Sequence, residues 1–231
     1  MTKTNEAVAA AESVTADAFH QILDLAITGR GALPGAKAAA NAHLERRGNP
    51  ETAISWLVNQ HIALAGGQGF ATNWGGLLTS IVTIPVNVAA ATFVQARMVA
   101  GVAHLRGYEL SDPRVRTAIG MCMLGPLATK QLIRRGVLPS SPGAVATAPV
   151  FDAELDRQVG RALLDRALNE LGGKRLGVWA AKRVPVLGAG VGAAVDSWST
   201  HAISRHAVEA LPSRRPRLSA WAETGQAQRS E

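Results

Sequence analysis

From Thr52 through Ala96 the chain runs for forty-five residues without an Asp, Glu, Lys or Arg, and Arg97 ends the run. A stretch so poor in charge belongs in a packed interior or against lipid, because a solvated helix or strand carries charged residues on its outer face. Gly66-Gly67-Gln68-Gly69 must break it. Beyond that break, Leu77 to Ala96 offers twenty uncharged residues, long enough to cross a bilayer core. Thr79, Ser80, Thr83, Asn87, Thr92 and Gln95 dilute its hydropathy, so three fates stay open: a spanning helix, a helix buried in a soluble bundle, or a shallowly inserted peripheral element. Pro85 kinks whichever helix forms.

Helical signals flank this run on both sides. Phe19, Ile22, Leu23, Ala26 and Ile27 recur at three- and four-residue steps and predict a helix between about Thr15 and Gly29. Pro34-Gly35 opens an alanine-rich helix to about Arg46. In Asn49-Pro50-Glu51 the Asn caps, the Pro occupies the first turn and the Glu faces the positive helix end, predicting a helix to about Ala65. Asp112-Pro113 repeats the device for a helix to about Arg135. Gly136 to Pro149, rich in Pro, Gly and Ser and without a charge, reads as a surface loop or hinge between two helical halves. Leu155, Val159, Ala162 and Leu163 then share one helix face, with Arg157, Arg161 and Asp165 roughly opposite. The stretch Val178 to Leu211 becomes helical, and the basic tail from Pro212 to Glu231 reads as disordered, as do residues 1–14. No period-two alternation bounded by turns is present, so no sheet is expected beyond a stray extended segment. The expected fold class is all-α: one multi-helix bundle over residues 15–211, built from Gly/Ala-rich, Pro-kinked apolar helices.

Composition narrows the environment. The chain has 231 residues, a hydrophobic share of 47%, only 4% aromatics and a formal charge of +7, which excludes disorder over most of its length and calls for close packing of small aliphatic side chains. A mean hydropathy of +0.09 beside a pI near 10.5 points to an anionic membrane surface before nucleic acid, for which no reading motif is present. The lone Cys122 excludes an internal disulfide and suits a reducing cytosol, and the acidic, interrupted N-terminus is not expected to be a signal peptide.

Few residues carry a chemical signature. Gly188-Ala189-Gly190-Val191-Gly192-Ala193 spells a dinucleotide fingerprint, but Lys182-Arg183-Val184-Pro185 precedes it where a strand is required. The better reading is a smooth helix stripe in which Gly188 and Gly192, four residues apart, admit a neighbouring backbone. No His pair has zinc-binding spacing, so neither metal nor cofactor is expected. Asp196, Ser199, Thr200 and His201 supply the residue types of a hydrolase without a nucleophile turn, which keeps a hydrolase or ligand-binding enzyme around Asp196 and His201 as the alternative. Basic residues gather as Arg97, Arg106, Arg114, Arg116, Lys130, Arg134 and Arg135, and again as Arg205, Arg214, Arg215 and Arg217. Because they border the most apolar segments, Arg97, Arg106, Arg134 and Arg135, with Lys182 and Arg183, are the candidates for lipid headgroup contacts.

Two stretches resemble the EcsC family of bacterial proteins. One comprises Thr83-Ile84-Pro85, Arg97, Ala103-His104-Leu105-Arg106-Gly107-Tyr108, Pro113 and Arg116, similar to the family's apolar Pro-containing helix, arginine and Gly-Tyr turn. The other is Lys182-Arg183-Val184-Pro185-Val186-Leu187-Gly188-Ala189-Gly190-Val191-Gly192-Ala193, similar to the family's basic, then Pro-x-x-Gly-x-x-x-Gly segment, with Asp196 where Asn is more usual. The resemblance spans about residues 75 to 210. It implies a helical, membrane-associated cytoplasmic protein without an established enzymatic activity, sometimes linked with transport or secretion. The expectation is therefore a non-enzymatic interaction protein, peripheral or partly inserted at the inner membrane, with that surface or a membrane protein as partner, and with Gly188, Gly192, Pro85 and Pro185 serving helix packing.

Overall fold

The computed structural model describes residues 18–31, 33–66, 86–163, 165–166 and 185–215, with backbone alone at 66, 86–88 and 185–196. Helix α1 covers residues 18–28 and leads into a two-residue antiparallel hairpin, β1 (Gly29–Arg30) with β2 (Leu33–Pro34), paired Gly29 to Pro34 and Arg30 to Leu33. Helices α2 (Ala36–Arg47) and α3 (Pro50–Gly66) follow, then α4 (Val86–Leu105), α5 (Pro113–Arg134), the short α6 (Pro142–Ala146), α7 (residues 153–163) and α8 (Pro185–Ala210). The fold is all-α, as expected.

The two Pro-based starts form as their local chemistry dictates. Asn49 Oδ1 accepts from the backbone N–H of Glu51 at 2.8 Å and of Thr52 at 3.2 Å, and Asp112 Oδ1 accepts from Arg114 N–H at 2.9 Å. Each side chain satisfies amides that the first helical turn leaves unbonded. At the other end of α2, Gly48 takes φ +67°, and its N–H closes the helix on Leu44 O at 2.7 Å.

Helix α4 is the central element. From Phe93 to Leu105 nearly every side chain is buried, and the helix packs on α2, α3, α5 and α8. Small residues make this possible: a Cβ on Gly101 would lie 2.6 Å from Leu57 Cδ2 on α3. One core joins Phe93, Val99, Leu23, Ile119 and Ile203, a second layer joins Leu57, Val102, Leu105 and Ala40, and a third joins Met121, Leu138, Val145, Leu155 and Val159. Among the described residues no helix is long and apolar enough to cross a membrane.

Three details depart from the sequence expectation. Helix α5 is not uniform, because Gly125 adopts φ +80° and ψ 168° just before Pro126 and bends the element. Side chains bond two carbonyls beside the bend: Thr129 Oγ1 donates to Met121 O at 3.0 Å, and Arg166 Nη1 donates to Met123 O. The Pro-rich segment 136–149 contains the one-turn α6 and buries Leu138, Val145 and Ala146, while Gly136, Val137, Pro139, Ser141, Ala144, Thr147 and Pro149 stay exposed. Residues 212–215, expected to begin a disordered tail, are held: Arg214 N–H donates to Arg106 O at 2.8 Å, Arg215 Nη2 donates to His104 O at 3.3 Å, and the Arg214 guanidinium lies 5.5 Å from the centre of the Tyr108 ring. Residues 1–14 and 216–231 lie outside the described residues.

Candidate functional site: an unpaired basic helix end

Beyond the Gly125-Pro126 bend, the last turns of α5 leave the core. Leu127, Lys130, Gln131 and Arg134 are all exposed and fall at i, i+3, i+4 and i+7, so they share one face, with Arg135 beside it. Leu127 is 75% exposed, unusual for a leucine on a helix that is otherwise well packed. The opposite face, with Leu132 and Ile133, packs on the third core layer. No Asp or Glu occurs from Pro113 to Phe151, and among the described residues Lys130, Arg134 and Arg135 have no ion-pair partner. The result is a cationic face with an apolar side chain protruding from it.

Other arginines are neutralised. Arg116 binds Asp24 at 2.5 Å, and Arg106 binds Glu51 at 2.9 Å, tying α5 to α1 and the turn after α4 to α3. Arg114 grips Asp112 through two nitrogens and reaches Ala148 O. It lines a groove of about 570 Å³ with Pro139, Val145, Phe151 and Leu155. Thr117 at the groove's edge donates to Asp156 Oδ1 at 2.7 Å, while His20 Nε2 stands 3.1 Å from Asp156 Oδ2. Burial pushes the Asp156 carboxyl up, but these partners outweigh it and hold it below its ordinary value. Glu109, bonded by Lys37 and by Ser111, is held down at about 2.

The sequence-expected positions separate. Arg134 and Arg135 lie on the exposed basic face, whereas Arg106 is committed to Glu51. Arg97, expected at a headgroup surface, is 7% exposed and points into the bundle. Pro85, Lys182 and Arg183 lie outside the described residues. Gly188 and Gly192 stand within the continuous helix α8, where a dinucleotide fingerprint would need a loop opening onto a helix. On α8, His201 is exposed, and Ser199 Oγ accepts from Arg166 Nη2 at 2.9 Å. Among the described residues no group of His, Cys, Asp and Glu is arranged to hold a metal ion. Cys122 is enclosed, and burial pushes its thiol pKa up, so it stays protonated and unreactive.

Sequence reasoning missed a buried polar layer. His61 on α3 is fully buried; its Nδ1 lies 2.8 Å from Leu57 O, and its Nε2 has no partner. Arg97 on α4 also has an unpartnered Nε, and Thr200 on α8, 1% exposed, has an unpartnered Oγ1. The available signal was that Arg97 is the lone cation closing the uncharged run.

No known protein family, curated protein or solved structure matches the chain.

Proposed function

We propose that the chain is a non-enzymatic, membrane-associated interaction protein of the EcsC type, which docks peripherally on the anionic inner face of a membrane and presents its helical bundle to a transport or secretion partner. The observation that carries this reading is the face of Leu127, Lys130, Arg134 and Arg135, cationic, unpaired and apolar at one point. Each Lys or Arg near an anionic surface adds about 1 kcal/mol, and insertion of one exposed leucine adds about 1.5–3 kcal/mol. Those contributions favour reversible docking.

The test is co-sedimentation of the purified full chain with vesicles of phosphatidylcholine alone and with added phosphatidylglycerol. Binding is expected only to the anionic vesicles and should fall in part as salt rises. The variant Lys130→Glu/Arg134→Glu/Arg135→Glu should lose at least about 100-fold in affinity, the equivalent of some 3 kcal/mol. Equal binding of the variant and the parent, or no preference for anionic vesicles, would sink the proposal.

A further inference from the structure

Helices α3, α4 and α8 pack pairwise on one another. Their register is fixed by Leu57, whose Cδ2 lies 2.6 Å from where a Cβ on Gly101 would stand, and by Ser197 Oγ, which lies 3.4 Å from Ile62 O. Counting four residues back from Gly101 and four forward from Leu57 reaches Arg97 and His61, and Thr200, three residues beyond Ser197, lies within one turn of that level. Each helix brings a buried polar group with an unpartnered atom to that level, although the great majority of such groups in folded proteins are bonded. The guanidinium is the extreme case, because a buried cation without an opposite charge is strongly unfavourable. Among the described residues no carboxylate pairs with it.

The donor and acceptor pattern selects the missing group. A carbonyl only accepts, so His61 Nδ1 carries the proton donated to Leu57 O, and Nε2 presents a lone pair. Burial and the Arg97 charge favour this neutral form. The complement of Arg97 N–H, Thr200 O–H and a lone pair on His61 is an oxyanion that itself bears one proton. We propose that Arg97, Thr200 and His61 form a buried site for the monoprotonated phosphate group, with phosphate oxygens accepting from Arg97 and Thr200 and the P–OH donating to His61 Nε2. The group is supplied by free phosphate or by a phosphomonoester lipid headgroup. Sulfate, which carries no proton at neutral pH, satisfies Arg97 but offers nothing to His61.

The test titrates the full chain with inorganic phosphate in chloride buffer at pH 7 and constant ionic strength, following the melting temperature and the ¹⁵N signals of the His61 ring. Phosphate is expected to raise the melting temperature saturably and shift the Nε2 resonance, and sulfate to bind at least tenfold more weakly. Arg97→Gln should weaken phosphate binding at least tenfold and Thr200→Val severalfold; the latter is nearly isosteric and protects the test against misfolding of the first. Vesicles containing phosphatidic acid identify the source: binding lost in Arg97→Gln assigns the lipid phosphomonoester, whereas unchanged vesicle binding beside lost phosphate binding assigns the free ion. Because Lys130, Arg134 and Arg135 are intact in these variants, failure here is distinguishable from failure of peripheral docking. No saturable response to phosphate in the parent chain overturns the proposal, as does sulfate binding equal to phosphate. A third overturning result makes Asp196, one turn before Thr200 on α8, the counter-ion: Asp196→Asn loses stability, and phosphate has no effect on either protein.

Discussion

Stability should fall in mildly acidic solution because of His61, and the size of the fall follows from its burial. The ring is held at about 4, well below the ordinary 6.5, chiefly because burial penalises the charged form, with Arg97 and His43 adding to the effect against the bond to Leu57 O. As pH drops through 6.5 the unfolded chain takes up a proton at His61, while the folded chain does not until about 4. The unfolded state therefore binds more protons throughout that window, and stability is lost as pH falls from 6.5 to 4. At 1.36 kcal/mol per pH unit the full loss is about 3 kcal/mol, and about 2 kcal/mol is gone by pH 5. That is a large part of a typical domain stability of about 5–15 kcal/mol. The assay is urea unfolding between pH 7.5 and 4.5 in phosphate-free buffer, comparing the parent chain with His61→Gln. His104 and His206, also lowered by burial, contribute to both proteins and cancel in the difference. The Gln variant should be the less stable at pH 7.5, with the gap closing as pH falls. A gap that stays constant across the range would refute the burial argument.

Gly143→Ala should cost about 1–3 kcal/mol by thermal melt, since its Cβ would lie 2.4 Å from the backbone oxygen of Ala210 and force α6 away from the end of α8. Thr129→Val, which keeps the volume but removes the donor to Met121 O, should cost about 0.5–1.5 kcal/mol in urea unfolding, the net worth of one buried hydrogen bond. Gly188→Leu and Gly192→Leu should each destabilise by about 1–3 kcal/mol, with the alanine variants far milder; unchanged melting of both leucine variants would remove the close-packing reading of that stripe.

What could be read in advance was local. Asn49-Pro50 and Asp112-Pro113 announce helix starts because cap and first turn are settled within four residues. The face of Leu155 and Val159 is legible because charged residues mark its opposite side. Helix α4 has no such marker: its side chains are small and apolar nearly all round, so periodicity could not say which way Arg97 faces. In segment 136–149 Pro, Gly and Ser signal turns, but they could not show that Leu138 and Val145 bury against residues many positions away. The bend before Pro126 went unread in a helix expected to run to Arg135, and the side chains that bond the carbonyls there come from Thr129 and from Arg166, the latter far along the chain. The basic face needed the structure for the same reason, since exposure beyond the bend decides which cations are free.

The bend at Gly125 also separates two kinds of evolutionary constraint within one helix. Residues before it are locked in by the core, where almost any change of volume is felt. Beyond it, the exposed positions 127, 130, 131, 134 and 135 touch little of the interior. Because Thr129 and Arg166 hold the carbonyls beside the bend, the exposed positions of the distal turns can exchange charge or apolar character without disturbing the bundle. Selection can thus retune the affinity of this face, or redirect it to another partner, at almost no cost in foldedness.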